Sequence, residues 1–312
     1  MRWSRWAVLI AGFLVAGCTS QVGGTALPDP GYTPPKRTLS SAAELIGNAG
    51  ALDPCSLLDP AALAQFGAAE KPAQEAYDYC WLKLPVGSAT VAVRFGLLER
   101  IRGELQAKEI EPVGTLRVFE ENPVKDRCAR YIMFSDNVTM AVSADTYDTP
   151  GANVPQLCSI AEKATTTVAE NVAARRMKHV DYPPASLARM DACKAVTVSL
   201  PQVPGLPAGE VISYPGGHQC RWGQAMVPSL TLRFVLDEPS TAPEVKVESI
   251  AGLQTSVYSA EINGRTLCVA EAKHGTGREL AQVIVRLPPN NAEPACAAAR
   301  SVAAEAWRKL PS

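Results

Sequence analysis

Cysteine dominates the chemistry that this chain of 312 residues could perform, with nine cysteines against three histidines. A thiolate can attack an electrophile, ligate a metal or close a disulfide, and spacing separates these roles. The cysteines stand at 18, 55, 80, 128, 158, 193, 220, 268 and 296. No two have the two-residue gap of a redox motif or a zinc knuckle. The histidines add no metal site. His179 lies in a stretch between two domains, His218 follows Gly216-Gly217, and His274 precedes Gly275-Thr276-Gly277. None has a partner four residues away on a helix, so all three are expected as exposed turn or linker side chains. No nucleophile elbow of the GxSxG type and no SxxK is present, which leaves serine hydrolysis unsupported. Gly275-Thr276-Gly277 lacks the third glycine of a dinucleotide loop, and no Walker or calcium loop occurs. Glu120, Glu121 and Asp126 are the nearest thing to paired acids, and acids at strand ends are expected to be solvated. Asn137-Val138-Thr139 is a formal glycosylation sequon with no further support. No catalytic residue, no metal site and no cofactor is therefore expected, and eight of the cysteines read as structural.

What must position those eight is a duplicated fold. Cysteines 55, 80, 128 and 158 have intervals of 25, 48 and 30, and cysteines 193, 220, 268 and 296 repeat them as 27, 48 and 28. Asp53-Pro54-Cys55 answers to Asp191-Ala192-Cys193, and Cys80-Trp81 to Cys220-Arg221-Trp222. A strand-like alternation follows each second cysteine, at residues 90–95 and 230–235. The fourth cysteine sits early in an alanine-rich helix in both halves, over residues 158–175 and 296–309. Agreement at this many points predicts two homologous tandem domains. Each is α+β, an antiparallel sheet packed by helices and stapled by two disulfides.

The amino terminus says where such disulfides would form. Arg2 and Arg5 precede an apolar run from Trp6 to Val15, which is shorter than the ~20 residues of a membrane-spanning helix and ends in small residues, as a secretory signal does. Leu14-Val15-Ala16-Gly17-Cys18 resembles the lipobox of bacterial lipoproteins. That resemblance implies that residues 1–17 are a signal peptide, and that Cys18 becomes the acylated first residue of a chain held on the extracytoplasmic side of the cell membrane. Without Arg2 and Arg5 the chain keeps 28 basic and 31 acidic residues, a net charge of −3. That balance argues against nucleic-acid binding, which needs a basic face. Outside the cytoplasm an even set of cysteines means disulfides.

Residues 18–50 are expected as a flexible tether, since Gly, Pro, Thr and Ser dominate it and apolar surface is scarce, with a short lead-in helix from Ser40 to Leu52. The first domain is assigned to 51–178 and the second to 179–312, divided near Tyr182-Pro183-Pro184. Asp59-Pro60 should open a helical turn. Residues 97–110 read as a helix between the second and third strands of the first domain. Asp136-Asn137 and Asn263-Gly264 read as hairpin turns. Four cysteines allow three pairings per domain. The preferred ones are Cys55–Cys80, Cys128–Cys158, Cys193–Cys220 and Cys268–Cys296, because each ties a flanking helix to a strand. Trp81 and Trp222 are expected to pack over the neighbouring bridges.

The run Asp53-Pro54-Cys55-Ser56-Leu57-Leu58-Asp59-Pro60, with Tyr79-Cys80-Trp81 and the helix after Cys158, resembles an uncharacterised family of actinobacterial envelope lipoproteins whose domain opens with Asp-Pro-Cys-x-Leu-Leu. The resemblance implies a secreted, lipid-anchored α+β domain similar to PsbP-like or kinase-sensor-like envelope domains, and no activity. The second half departs from it, with Cys193-Lys194-Ala195-Val196 in place of the opening motif. The expected function is a non-catalytic binding or accessory module for an envelope protein, a wall component or a lipid. The alternatives are a carrier of hydrophobic ligands and a carboxylate-based envelope hydrolase.

Overall fold

The computed structural model describes residues 40–148, 151–196, 203–207, 211–223 and 227–311. Cys18 and the signal segment lie outside them. The described structure includes residues ahead of the expected domain start. Ser41 caps the short helix α1 (Ala42–Ile46), its side chain accepting from the Glu44 amide while Glu44 reaches back to the Ser41 amide, a capping box. Ala42 and Ile46 are buried in the first core. Residues 40–50 thus pack with the first domain, ahead of the boundary expected at residue 51. Three 3₁₀ turns follow; the last two, Pro54–Leu57 and Pro60–Leu63, are capped by Asp53 and Asp59 and started by proline.

The first sheet comprises β1 (Cys80–Val86), β2 (Ala89–Arg100), β3 (Lys108–Val113), β4 (Leu116–Glu120), β5 (Arg127–Met133) and β6 (Val138–Thr146), in the order β1-β2-β6-β5-β4-β3 and antiparallel throughout. The helix α2 (Val154–Ala173) lies on one face. Asn153 caps it, and Leu157, Ile160, Ala161, Ala164, Val168 and Val172 form its buried stripe, the i, i+3, i+4 spacing of one helix face. Alternation places Val91, Val93 and Phe95 against that stripe.

The second half contains the short helix α3 (Ala192–Ala195), then β7 (Val211–Ser213), β8 (Gln219–Gly223), β9 (Ser229–Leu236), β10 (Lys246–Ile250), β11 (Leu253–Ile262), β12 (Arg265–His274) and β13 (Glu279–Leu287), and ends in helix α4 (Ala292–Trp307). Its sheet order, β7-β8-β9-β13-β12-β11-β10, is the first sheet's order with one strand added beside β8. The duplication read from cysteine spacing is therefore a duplication of topology. Asn263 and Gly264 both take positive φ, 52° and 70°, as the predicted tight hairpin between β11 and β12 requires. Asn137 does the same between β5 and β6, at 57°.

Four disulfides join the flanking helical turns to the sheets: Cys55–Cys80, Cys128–Cys158, Cys193–Cys220 and Cys268–Cys296, with Cα separations of 5.0 to 5.2 Å, inside the range that needs no backbone distortion.

Two further expectations fail. Residues 97–110 do not form a helix: Leu98, Glu99 and Arg100 continue β2 opposite Met140, Thr139 and Val138, and Lys108–Val113 is an edge strand paired with β4. Pairing across the sheet overrides a helical apolar period. Gly96, at φ 104°, provides the bulge that keeps the strand going, and a Cβ there would stand 3.0 Å from the Pro54 side chain. Trp81 also departs. It follows Cys80 by one residue and so faces the other side of the sheet, beside Tyr147 and Lys83. Trp222 follows Cys220 by two residues and joins the core with the Cys193–Cys220 bridge, as expected.

Candidate functional site

The richest polar constellation of the molecule is the junction between the two halves. A strap over residues 70–79 of the first half builds it. Ala73 bridges Trp81 in the first sheet, and two residues later the strap joins the second sheet: Ala76 bridges Val235, and the Leu236 amide donates to the Glu75 carbonyl at 2.9 Å. β9 lies between β8 and β13, but its last residues run past the end of its pairing with β8 at Arg233, and the donors and acceptors left open there take up the extended strap. Tyr77 then enters the core of the second half, only 2% exposed. It packs edge-on against Tyr182 and lies 4.8 Å from the His218 ring. Burial first, and then the neighbouring Glu279 carboxylate, push its phenol far above the usual tyrosine value. Glu279 itself accepts from the Ser186 hydroxyl and, at 3.0 Å, from the Leu187 amide.

His218 is the correction that matters most. Its place after two glycines predicted an exposed turn, yet it is 1% exposed. Nδ1 lies 2.7 Å from Asp78 Oδ1, and Nε2 lies 3.0 Å from the Ala188 carbonyl. Both neighbours are acceptors, so the ring satisfies both only by donating from both nitrogens, which is the imidazolium form. Burial works against that charge. The Asp78 hydrogen bond and charge, with the backbone carbonyls of Ala188 and Gly50, outweigh it and raise the pKa above the ordinary histidine value. Gly216 makes the approach possible, since a Cβ there would meet Asp78 Oδ1 at 2.1 Å.

Chemically the arrangement is a clasp. A histidine beside an aspartate has the outline of a general base, but a base needs a nitrogen free to take a proton, and neither nitrogen of His218 is free. Beside it lies a cleft of ≈ 450 Å³ lined by Asn48, Asp181, Tyr182, Arg189, Asp191 and Gly216 among others. Its cation is engaged, Arg189 donating to Asp181 and to the Tyr182 carbonyl. A second groove, ≈ 530 Å³, runs between β3 and α2, and there Arg130 is held by Glu120 at 2.7 Å and Glu162 at 3.5 Å.

The other residues singled out along the sequence scatter. Glu120 pairs with Arg130, and Glu121 accepts from the Tyr131 hydroxyl, so these acids sit in surface pairs. His179 bonds the Ile46 carbonyl and His274 the Ala185 carbonyl, neither sharing a partner with His218. Among the described residues no three His, Cys, Asp or Glu side chains stand close enough to hold a metal ion, and no helix is long and apolar enough to cross a membrane. Asp78 and Tyr77 carried no signal in the sequence. Asp78 stands 140 residues from His218, and no motif joins them.

Fold and junction together define a disulfide-stapled, two-domain α+β protein whose domains are locked by a buried acid–histidine pair. Residues 13–171 match the model of a family described as "Protein of unknown function (DUF3558)", and the chain belongs to that family. No curated protein matches it. Among solved structures, DynU16 from the dynemicin biosynthetic locus aligns at 12% identity over 81% of this chain and 88% of its own, with a TM-score of 0.16. The di-domain ARO/CYC StfQ of the steffimycin pathway aligns at 12% over 84% and 92%, with a TM-score of 0.16. The MucA/MucB complex of Pseudomonas aeruginosa aligns at 8% over 73% and 84%, with a TM-score of 0.14. Scores this low carry no functional argument.

Proposed function

We propose that this protein is a lipid-anchored binding or accessory module of the cell envelope, held at Cys18 on the extracytoplasmic side of the cell membrane, and that it performs no catalysis. One observation carries the non-catalytic part: the buried histidine that could serve as a base, His218, has both nitrogens committed to Asp78 and Ala188. The four disulfides support an oxidising compartment, because cytosolic thiols are kept reduced. The strap and clasp support a binding role, since they hold two similar domains as one surface and remove the ordering cost that binding would otherwise incur.

The anchor and the role are tested separately. Cys18→Ser should leave the folded domains intact and move the protein from the membrane fraction to the soluble one; a variant still sedimenting with membranes would remove the anchor. Full-length protein retained on a resin and exposed to envelope extract should enrich a discrete protein or lipid by mass spectrometry. Turnover of an envelope ester, amide or glycoside that His218→Gln abolishes would replace this reading with the hydrolase.

A further inference from the structure

The face of the second sheet turned away from α4 holds an unbalanced charge. Strand alternation puts Arg221 of β8, Arg233 of β9 and Arg286 of β13 on the side opposite the core residues Trp222, Leu232 and Val285. In register, Arg221 faces Thr231, Thr231 faces Ile284, Arg233 faces Gln282 and Arg286 faces Ser229. Thr231 and Ile284, each 4% exposed, form the floor between the three arginines. All three are half-buried. Arg233 donates to the neutral Gln282 side chain at 2.7 Å. Arg221 donates to the Tyr214 hydroxyl at 3.2 Å and stands 3.6 Å from Glu99 of the first domain. Its Nε is buried without a partner. The Arg286 side chain has no hydrogen bond or ion pair among the described residues, and burial together with the nearby Arg233, Arg221 and Arg265 disfavours its charge. Glu271, the other acid on this face, has its oxygens taken by the Ser240 amide and by Gln282.

Buried charges are ordinarily paired. Glu99 stands against Arg221 and Glu271 lies within electrostatic reach of Arg233, but among the described residues no carboxylate stands against Arg286, which leaves about one positive charge, and the donors of Arg286 and the Arg221 Nε, without acceptors. A phosphate monoester carries about −1.5 to −2 at neutral pH and three acceptor oxygens, and the planar guanidinium fork matches it. We propose that Arg221, Arg233 and Arg286, with the Tyr214 hydroxyl, form a binding site for the phosphoryl group of a ligand, either a soluble phosphate ester or a phospholipid headgroup. This site names the ligand class of the binding module and rests on that reading.

The test is calorimetric titration of the full-length protein with glycerol 3-phosphate and with dihexanoyl phosphatidic acid below its micellar concentration. Saturable binding of either is expected, weakened at least tenfold in Arg286→Gln, less in Arg286→Lys, and unchanged in Arg189→Gln, whose arginine lies in the junction cleft. Tighter binding of the short-chain lipid would mark a headgroup, and equal binding a soluble ester. Because Arg286 lacks a counter-charge, Arg286→Gln should melt at or above the parent temperature without ligand. Absence of saturable binding, an equal loss in Arg189→Gln, or a ligand-free Arg286→Gln melting several degrees lower would each overturn the site. A chain that ignores both phosphates yet still enriches an envelope partner loses this ligand class and keeps the binding role. Phosphate binding without any envelope partner would keep the site and a binding role, with a small phosphorylated ligand in place of a macromolecular partner.

Discussion

Asp78→Ala should uncouple the two domains more severely than any surface change. His218 is 1% exposed and Asp78 11%, so the pair is buried, and removing one partner strands the other. Breaking a buried charged pair in this way costs about 3–5 kcal/mol. For a folded unit of this size each kcal/mol moves Tm by roughly 2–4 °C, so a fall of about 6–20 °C follows. The pH dependence has a definite sign. The folded-state pKa of His218 is raised, so the stabilisation is complete below the unfolded value of about 6.5 and fades as pH rises through the folded value. Asp78→Asn removes the charge and most of that shift. Thermal melts of oxidised parent and Asp78→Asn protein from pH 6 to pH 10 should therefore show the parent's advantage largest at the acid end and shrinking steadily above pH 6.5. A double-mutant cycle with His218→Ala should report coupling above 1 kcal/mol, the range of contacting residues. A constant difference between the two melting curves across this range, or additive single variants, would refute the clasp.

Gly216→Ala should damage the same clasp without touching either partner, because its methyl would overlap Asp78 Oδ1; a loss of about 1–3 kcal/mol is expected from such overpacking, read by denaturant midpoint. Tyr77→Ala should cost about 3–5 kcal/mol and speed hydrogen exchange in residues 73–79 and 233–236 together. Cys128→Ser with Cys158→Ser should cost roughly 3–4 kcal/mol by loop entropy, and non-reducing peptide maps of the parent should show only the four bridges described. A map with a different pairing would contradict the topology of both halves.

Much of the fold was legible because its signals are local or repeated. Cysteine intervals report two copies of one topology, and disulfide geometry leaves little freedom once each cysteine is placed beside a strand or a helix. Asn263-Gly264 reads as a tight turn because left-handed backbone suits those residues. The stripe from Leu157 to Val172 reads as a helix face from its spacing. The same reasoning misread residues 97–110, where an apolar period suited a helix but β4 and β6 supplied strand partners. It misread Ala42 and Ile46, whose burial depends on a core formed far along the chain.

The building unit was already written in the chain: two sulfur-stapled α+β copies, each with its closing helix and tight hairpins, because propensity, alternation and cysteine spacing act within a few turns of chain. What the copies do to each other emerges only when the chain closes. Asp78 reaches His218 across 140 residues, and Arg221, Arg233 and Arg286 share a face through sheet register. Charges brought together by long-range pairing leave no periodic trace in the chain, and burial, which sets their protonation and their need for partners, exists only once both domains have closed.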